Sequence, residues 1–112
     1  VLARGNRITR GAEYKAAVRR GSRCAGTMTI TYVVPSEEEG PARFGFIVSK
    51  QVGSAVVRNT VRRRLKAVCA EALPTVRPGV DVVIRALPAS ADATFDVLRS
   101  DVVRCLQRRA AA

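Results

Sequence analysis

The sequence predicts an α+β sandwich, one domain in which helices pack on a mixed sheet. Three observations carry this. The chain has 112 residues, the size of a single domain spanning 1–112. Residues 27–34 and 80–87 are rich in β-branched side chains and read as strands. Between strands, residues 55–73 repeat apolar side chains at helical spacing. A strand, a helix and another strand need a crossover, so at least one strand pair is parallel. The expected order is α-β-β-α-β-α.

Residues 1–10 read as a basic N-terminal arm, with Arg4, Arg7 and Arg10 and only Leu2 and Ile8 as apolar companions. A short helix follows over 12–20, between Gly11 as a cap and Gly21 as its stop. Its apolar face is Tyr14, Ala17 and Val18, and Lys15, Arg19 and Arg20 lie on its other side. In the strand over 27–34, Met28, Ile30, Tyr32 and Val34 alternate with Thr27, Thr29, Thr31 and Val33 until Pro35. The acidic loop 36–41 leads to a strand over 43–49, where Gly45 signals a bulge or a close backbone approach. The long helix 55–73 stops at Pro74, and Pro78–Gly79 turns the chain into the strand 80–87. After a loop at 88–93, Thr94 caps a last helix whose stripe is Phe95, Leu98, Val102, Cys105 and Leu106. Residues 110–112 are expected to fray.

Composition narrows the function. Hydrophobic residues are 47% of the chain and charged residues 26%, which fits a folded domain rather than a disordered one. Twenty Lys and Arg stand against nine Asp and Glu, a net charge of +11. That excess destabilises a compact fold by self-repulsion and points to a polyanionic partner. With no His, the commonest general base, the His-based triads and most zinc sites are excluded. No segment reaches the roughly 18 apolar residues of a membrane helix, and the N-terminal stretch lacks the apolar core of a signal peptide. Cys24, Cys69 and Cys105 are odd in number and far apart, so they are expected to be reduced, buried thiols in a cytoplasmic protein.

The long helix carries the strongest signal. Val57, Val61, Leu65, Val68 and Ala72 form its core stripe. Arg58, Arg62 and Lys66 form a row at i, i+4, i+8 beside it, widened by Asn59 and Arg63, with Arg64 on the opposite flank. From Lys50 to Lys66 there are six basic residues and no acid. A solvated helix surface normally interleaves signs; like charges at i, i+4 repel one another and suit phosphates instead. Asn59 can read a base edge or fix a neighbouring Arg.

Residues 48–66, V-S-K-Q-V-G-S-A-V-V-R-N-T-V-R-R-R-L-K, resemble the signature of the bacterial ribonuclease P protein family. That signature is a strand ending in S-K-K, a G-x-A-V-x-R-N entry and a basic helix. Asn6–Ile8, Ala12–Tyr14, Arg20–Gly21 and the strand P-G-V-D-V-V-I-R-A also fit, in the right order. The resemblance implies a protein that binds a catalytic RNA and the single-stranded 5′ leader of precursor tRNA. The RNA would perform Mg²⁺-dependent hydrolysis to release the leader, making the complex an endoribonuclease. The protein would supply no catalytic side chain, hold no cofactor or metal itself and need no further protein partner. The resemblance also implies a left-handed βαβ crossover, against the usual hand.

By position, the resemblance assigns Lys50, Arg58, Asn59, Arg62, Arg63 and Lys66 to the catalytic RNA. It assigns Tyr14, Val18 and Tyr32 to the leader. Two places depart from the pattern: Thr60 stands where a third R-N-R residue is usual, with Arg62, Arg63 or Arg64 as compensation, and Gln51 replaces a Lys. Val18 stands where a second aromatic is frequent. A basic groove with aromatic platforms is how single strands are bound. Phe95 and one of Phe44 and Phe46 are expected in the core, and Phe46 is placed with the leader residues.

Two other classes remain. A ribosomal-type structural RNA-binding protein would share the charge and size. A protein-only nuclease would need paired acids for metal, and Asp81, Asp92, Asp96 and Asp101 show no helical spacing that pairs them.

Overall fold

Val80–Ala86 (β4) runs through the interior of a four-stranded sheet in the computed structural model, which describes residues 2–112. The strands are ordered β1-β2-β4-β3, with β1 Ser22–Ala25, β2 Thr29–Pro35 and β3 Arg43–Ile47. β1 pairs antiparallel with β2 and β2 with β4, whereas β3 and β4 are parallel. The crossover between that parallel pair contains α2, Ala55–Ala72. α1 is Gly11–Arg20 and α3 is Phe95–Arg109. The predicted mixed α+β domain is thus observed, with one added strand. Ser-Arg-Cys-Ala is too short and too polar to signal β1 by alternation, and its pairing with residues 30–33 makes it a strand.

The two sheet faces hold separate clusters. On one, Thr29, Thr31 and Val33 of β2 with Val80, Val82, Ile84 and Ala86 of β4 are buried, and the apolar members pack against the stripes of α2 and α3. The α2 stripe is Val61, Leu65, Val68, Cys69 and Ala72. On the other face α1 covers a smaller cluster of Ile8, Ala17, Tyr32 and Val83. Ser54 and Thr94 cap α2 and α3 by accepting hydrogen bonds from Val57 N and Val97 N. The fork of Arg43 grips Asp81 at 2.9 and 2.8 Å and also binds Glu13, tying α1 to β3 and β4.

Several expectations are corrected. The N-terminal arm is not free: Leu2, Asn6 and Ile8 are buried, Arg4–Asn6 forms a short 3-10 turn, and Arg7 bridges Phe44 in parallel register. Asn6 Nδ2 donates to Ala42 O at 2.9 Å. The C-terminal residues do not fray, because Ala110 is fully buried, Ala111 bridges Val76 and Ala112 N donates to Thr75 O. The three cysteines are not all thiols. Cys24 and Cys105 form a disulfide across 81 residues, and Cys69 alone is free. The unrecognised strand β1 is what places Cys24 against α3.

Candidate nucleic-acid interface

α2 begins where the loop after β3 reaches Ser54, so its first turns stand beside the sheet edge. Arg62 is held in place: it donates from Nη1 to Asn59 Oδ1 at 3.3 Å and from Nη2 to Val48 O at 3.4 Å. Of the two roles open to Asn59, the structure displays the fixing of a neighbouring Arg. Asn59, Arg62, Arg63, Lys66 and Ala67 line a hollow of about 370 Å³. Lys50 is exposed on the loop before the helix, and Arg58 is half-buried at its first turn. Arg64 points elsewhere. Its Nη1 donates to Ala93 O at 2.8 Å, which ties α2 to the start of α3, so it does not compensate for Thr60. Thr60 itself donates to Val56 O.

Arg62 and Lys66 also line a second hollow of about 190 Å³, with Leu2, Arg7, Ile8, Tyr14, Phe44 and Phe46. This hollow links the basic helix to α1 around the edge strand β3. Beyond it, Tyr14, Lys15, Val18, Arg19 and Ile47 line a trough of about 320 Å³. Tyr14 reaches it with its ring over Gly45 and its hydroxyl donating to Ile8 O at 3.3 Å. Val18 is 39% exposed, an apolar side chain on an open rim.

The four aromatic and apolar leader candidates do not converge. Tyr14 and Val18 share the trough. Tyr32 lies under α1 and is only 7% exposed, so its ring is packing for the helix. Tyr32 is opposite Val83, which is opposite Gly45. Phe46, the next residue, therefore points to the other sheet face, where it packs on the main core and meets Arg62 and Lys66. Ile47, Lys15 and Arg19 complete the trough; Lys15 and Arg19, expected on the side of α1 away from Tyr14 and Val18, share its rim with them instead.

Glu13, Asp81 and Asp101 are each engaged by donors. Arg43, whose hydrogen bonds to Asp81 and Glu13 hold its own pKa above the ordinary value, draws the Glu13 carboxyl below its usual 4.5 chiefly by the hydrogen bond it donates. Asp101 accepts from Thr27 N, Met28 N and Thr29 Oγ1 at 3.2, 3.2 and 2.8 Å.

The Ribonuclease P family model matches residues 2–110. The chain belongs to the ribonuclease P protein family. It is 45% identical over 108 residues to the ribonuclease P protein component of Clavibacter michiganensis, covering 96% of each chain. Against that of Streptomyces bikiniensis it is 40% identical, covering 96% of this chain and 94% of the other. Among solved structures, the ribonuclease P protein of Staphylococcus aureus superposes with a TM-score of 0.83 at 22% identity, covering 92% of this chain and 94% of that one. The Thermotoga maritima protein gives 0.81 at 16% identity, covering 91% and 96%. These two likenesses show the fold.

Proposed function

We propose that this chain is the protein subunit of a bacterial ribonuclease P, working with its RNA subunit in the 5′ processing of tRNA. The basic face of α2 (Arg58, Asn59, Arg62, Arg63 and Lys66, with Lys50 before it) docks on the catalytic RNA. The trough beside α1 receives the single-stranded leader of precursor tRNA. The observation that carries the reading is the acid-free basic row on α2, continuous through Arg62 and Lys66 with the hollow that leads to Tyr14. About five to eight phosphate contacts give an affinity that falls steeply with salt.

In this reading the complex is an endoribonuclease and the RNA performs the hydrolysis with its Mg²⁺. Glu13, Asp81 and Asp101 are committed to Arg43 and to residues 27–29, so these three carboxylates do not fit a protein-held Mg²⁺ and no step passes through one. The protein contributes affinity and position. Among the described residues no helix is long and apolar enough to cross a membrane. We assign it to the cytoplasm, where tRNA is made; with Cys24 and Cys105 bridged, the cysteines no longer argue for that compartment.

Reconstitution tests this. The cognate RNA is assayed on precursor tRNA at low Mg²⁺ with and without the protein, and binding of precursor and mature tRNA is compared. Protein-dependent cleavage and a preference for precursor are expected. Equal affinity for both would favour a structural RNA-binding role of the ribosomal type.

A further inference from the structure

The interior strand β4 buries six of its seven residues, and the one it exposes is Arg85. Interior strands normally keep a charged side chain only where something answers it. Arg85 is opposite Ile30 on β2 and Ile47 on β3, and Ile30 is opposite Ala25 on β1. These four residues form one row on the α1 face of the sheet.

The other two rows of that face are occupied. Val34, Asp81 and Arg43 form one, locked to Glu13 of α1. Arg23, Tyr32, Val83 and Gly45 form the next, with Tyr14 and Ala17 of α1 over it. α1 covers no further, so Ile30 and Ile47 stay half-buried and Arg85 stays open. Arg43 on the same face is gripped by two acids, but among the described residues Arg85 makes no ion pair and no side-chain hydrogen bond. The trough meets this row at Ile47, beside which Arg85 stands open, and its bank carries Tyr14, Val18, Lys15 and Arg19.

We propose that Arg85 is a phosphate anchor for the leader of precursor tRNA, fixing where the single strand crosses the sheet. This rests on the reading above that the trough takes the leader. The chemistry is that of a guanidinium whose stem lies along apolar side chains and whose head is presented to a phosphodiester. Every nucleotide carries that group, so the anchor is indifferent to leader sequence. Sugar and base faces are left to Ile30, Ile47 and Val18.

The test uses the reconstituted holoenzyme. Affinities are measured for mature tRNA and for precursors with leaders of about ten nucleotides and differing sequence, within the range a small single-strand site spans. Arg85→Ala is expected to weaken precursor binding about five- to tenfold, to the same degree for each leader, the scale of one accessible charge-assisted contact. Mature tRNA binding and RNA assembly should not change. The salt slope for precursor should fall by roughly 0.7, one single-strand phosphate. Arg85→Lys should keep most of the affinity. Unchanged precursor binding by Arg85→Ala overturns the anchor while leaving the leader site standing, and so does equal loss for precursor and mature tRNA. If the unaltered holoenzyme itself shows no preference for precursor, the leader reading fails and the anchor with it.

Discussion

The ring of Tyr14 lies against the backbone of Gly45, so close that a methyl group there would stand 2.6 Å from Tyr14 Cε1 and 2.7 Å from Cζ. Here the glycine is needed for approach, since no positive φ is involved. The contact sets the height of α1 above the sheet and with it the depth of the trough. Gly45→Ala should cost about 1–3 kcal/mol by overpacking, read as a lower urea midpoint at unchanged slope. In a Tyr14→Ala background the same change should be nearly silent, because the clash has been removed. Equal costs in both backgrounds would locate the strain elsewhere.

Arg58 and Arg62 belong to the acid-free row, whereas Arg64, one residue from Arg63, serves the fold through Ala93 O. Replacing Arg58 and Arg62 together by Ala should weaken binding to the catalytic RNA about tenfold or more and reduce the salt slope by nearly two. Arg64→Ala should instead lower stability by about 1–2 kcal/mol and leave the slope alone. Filter binding at several salt concentrations, beside thermal melts, separates the two. An Arg64 variant with the larger slope change would reverse the assignment of faces.

Asp101 looks in sequence like a spare carboxylate, but three donors from the β1–β2 connection converge on it. Its removal should destabilise the protein by about 1–3 kcal/mol, the cost of orphaned donors beside a lost charged acceptor. Holoenzyme cleavage below the melting range should stay near the unaltered rate. A stable Asp101→Ala protein with abolished cleavage would instead speak for a carboxylate taking part in the reaction.

The difference between Arg64 and Arg62, and that between Asp101 and a metal ligand, show where reading the sequence stops. Periodicity placed β2, β4, α2 and α3 within a residue or two, because burial on one face imposes it. It also placed the basic row, since charge is a property of the residues themselves. β1 left no such trace: its four residues become a strand only by pairing with β2. The Cys24–Cys105 contact and the separation of Tyr32 from Phe46 follow from tertiary register, which no local pattern encodes. Likewise Arg85 became conspicuous only when its neighbours in space, Ile30 and Ile47, were known.

Glu13 makes the fold sensitive to acid. Its carboxyl sits below the ordinary 4.5 because Arg43 donates to it. As pH falls, the unfolded chain takes up that proton first. The contribution of Glu13 is therefore complete above about pH 4.5 and is lost as the pH falls through the lower folded value. Urea midpoints between about pH 6 and pH 3 should decline for the unaltered protein, and the decline should be shallower for Glu13→Gln. Parallel curves for the two proteins would assign the acid limb to other carboxylates.

The bridge between Cys24 and Cys105 joins the edge strand β1 to α3 across 81 residues, far more chain than local structure restrains. Closing so long a loop narrows the unfolded ensemble, and native bridges of this kind contribute about 2–4 kcal/mol. Reductant should lower the melting temperature, and the Cys24→Ser, Cys105→Ser double variant should melt at the reduced value with or without it. Thiol counting checks the pairing directly. Cys69 is fully buried, and that burial pushes its pKa up, so it should react slowly in the native state and quickly in denaturant. One thiol per chain is expected in denaturant without reductant and three with it. Three in both conditions would return Cys24 and Cys105 to neighbouring thiols, and β1 would then be held to α3 by packing and by the donors converging on Asp101.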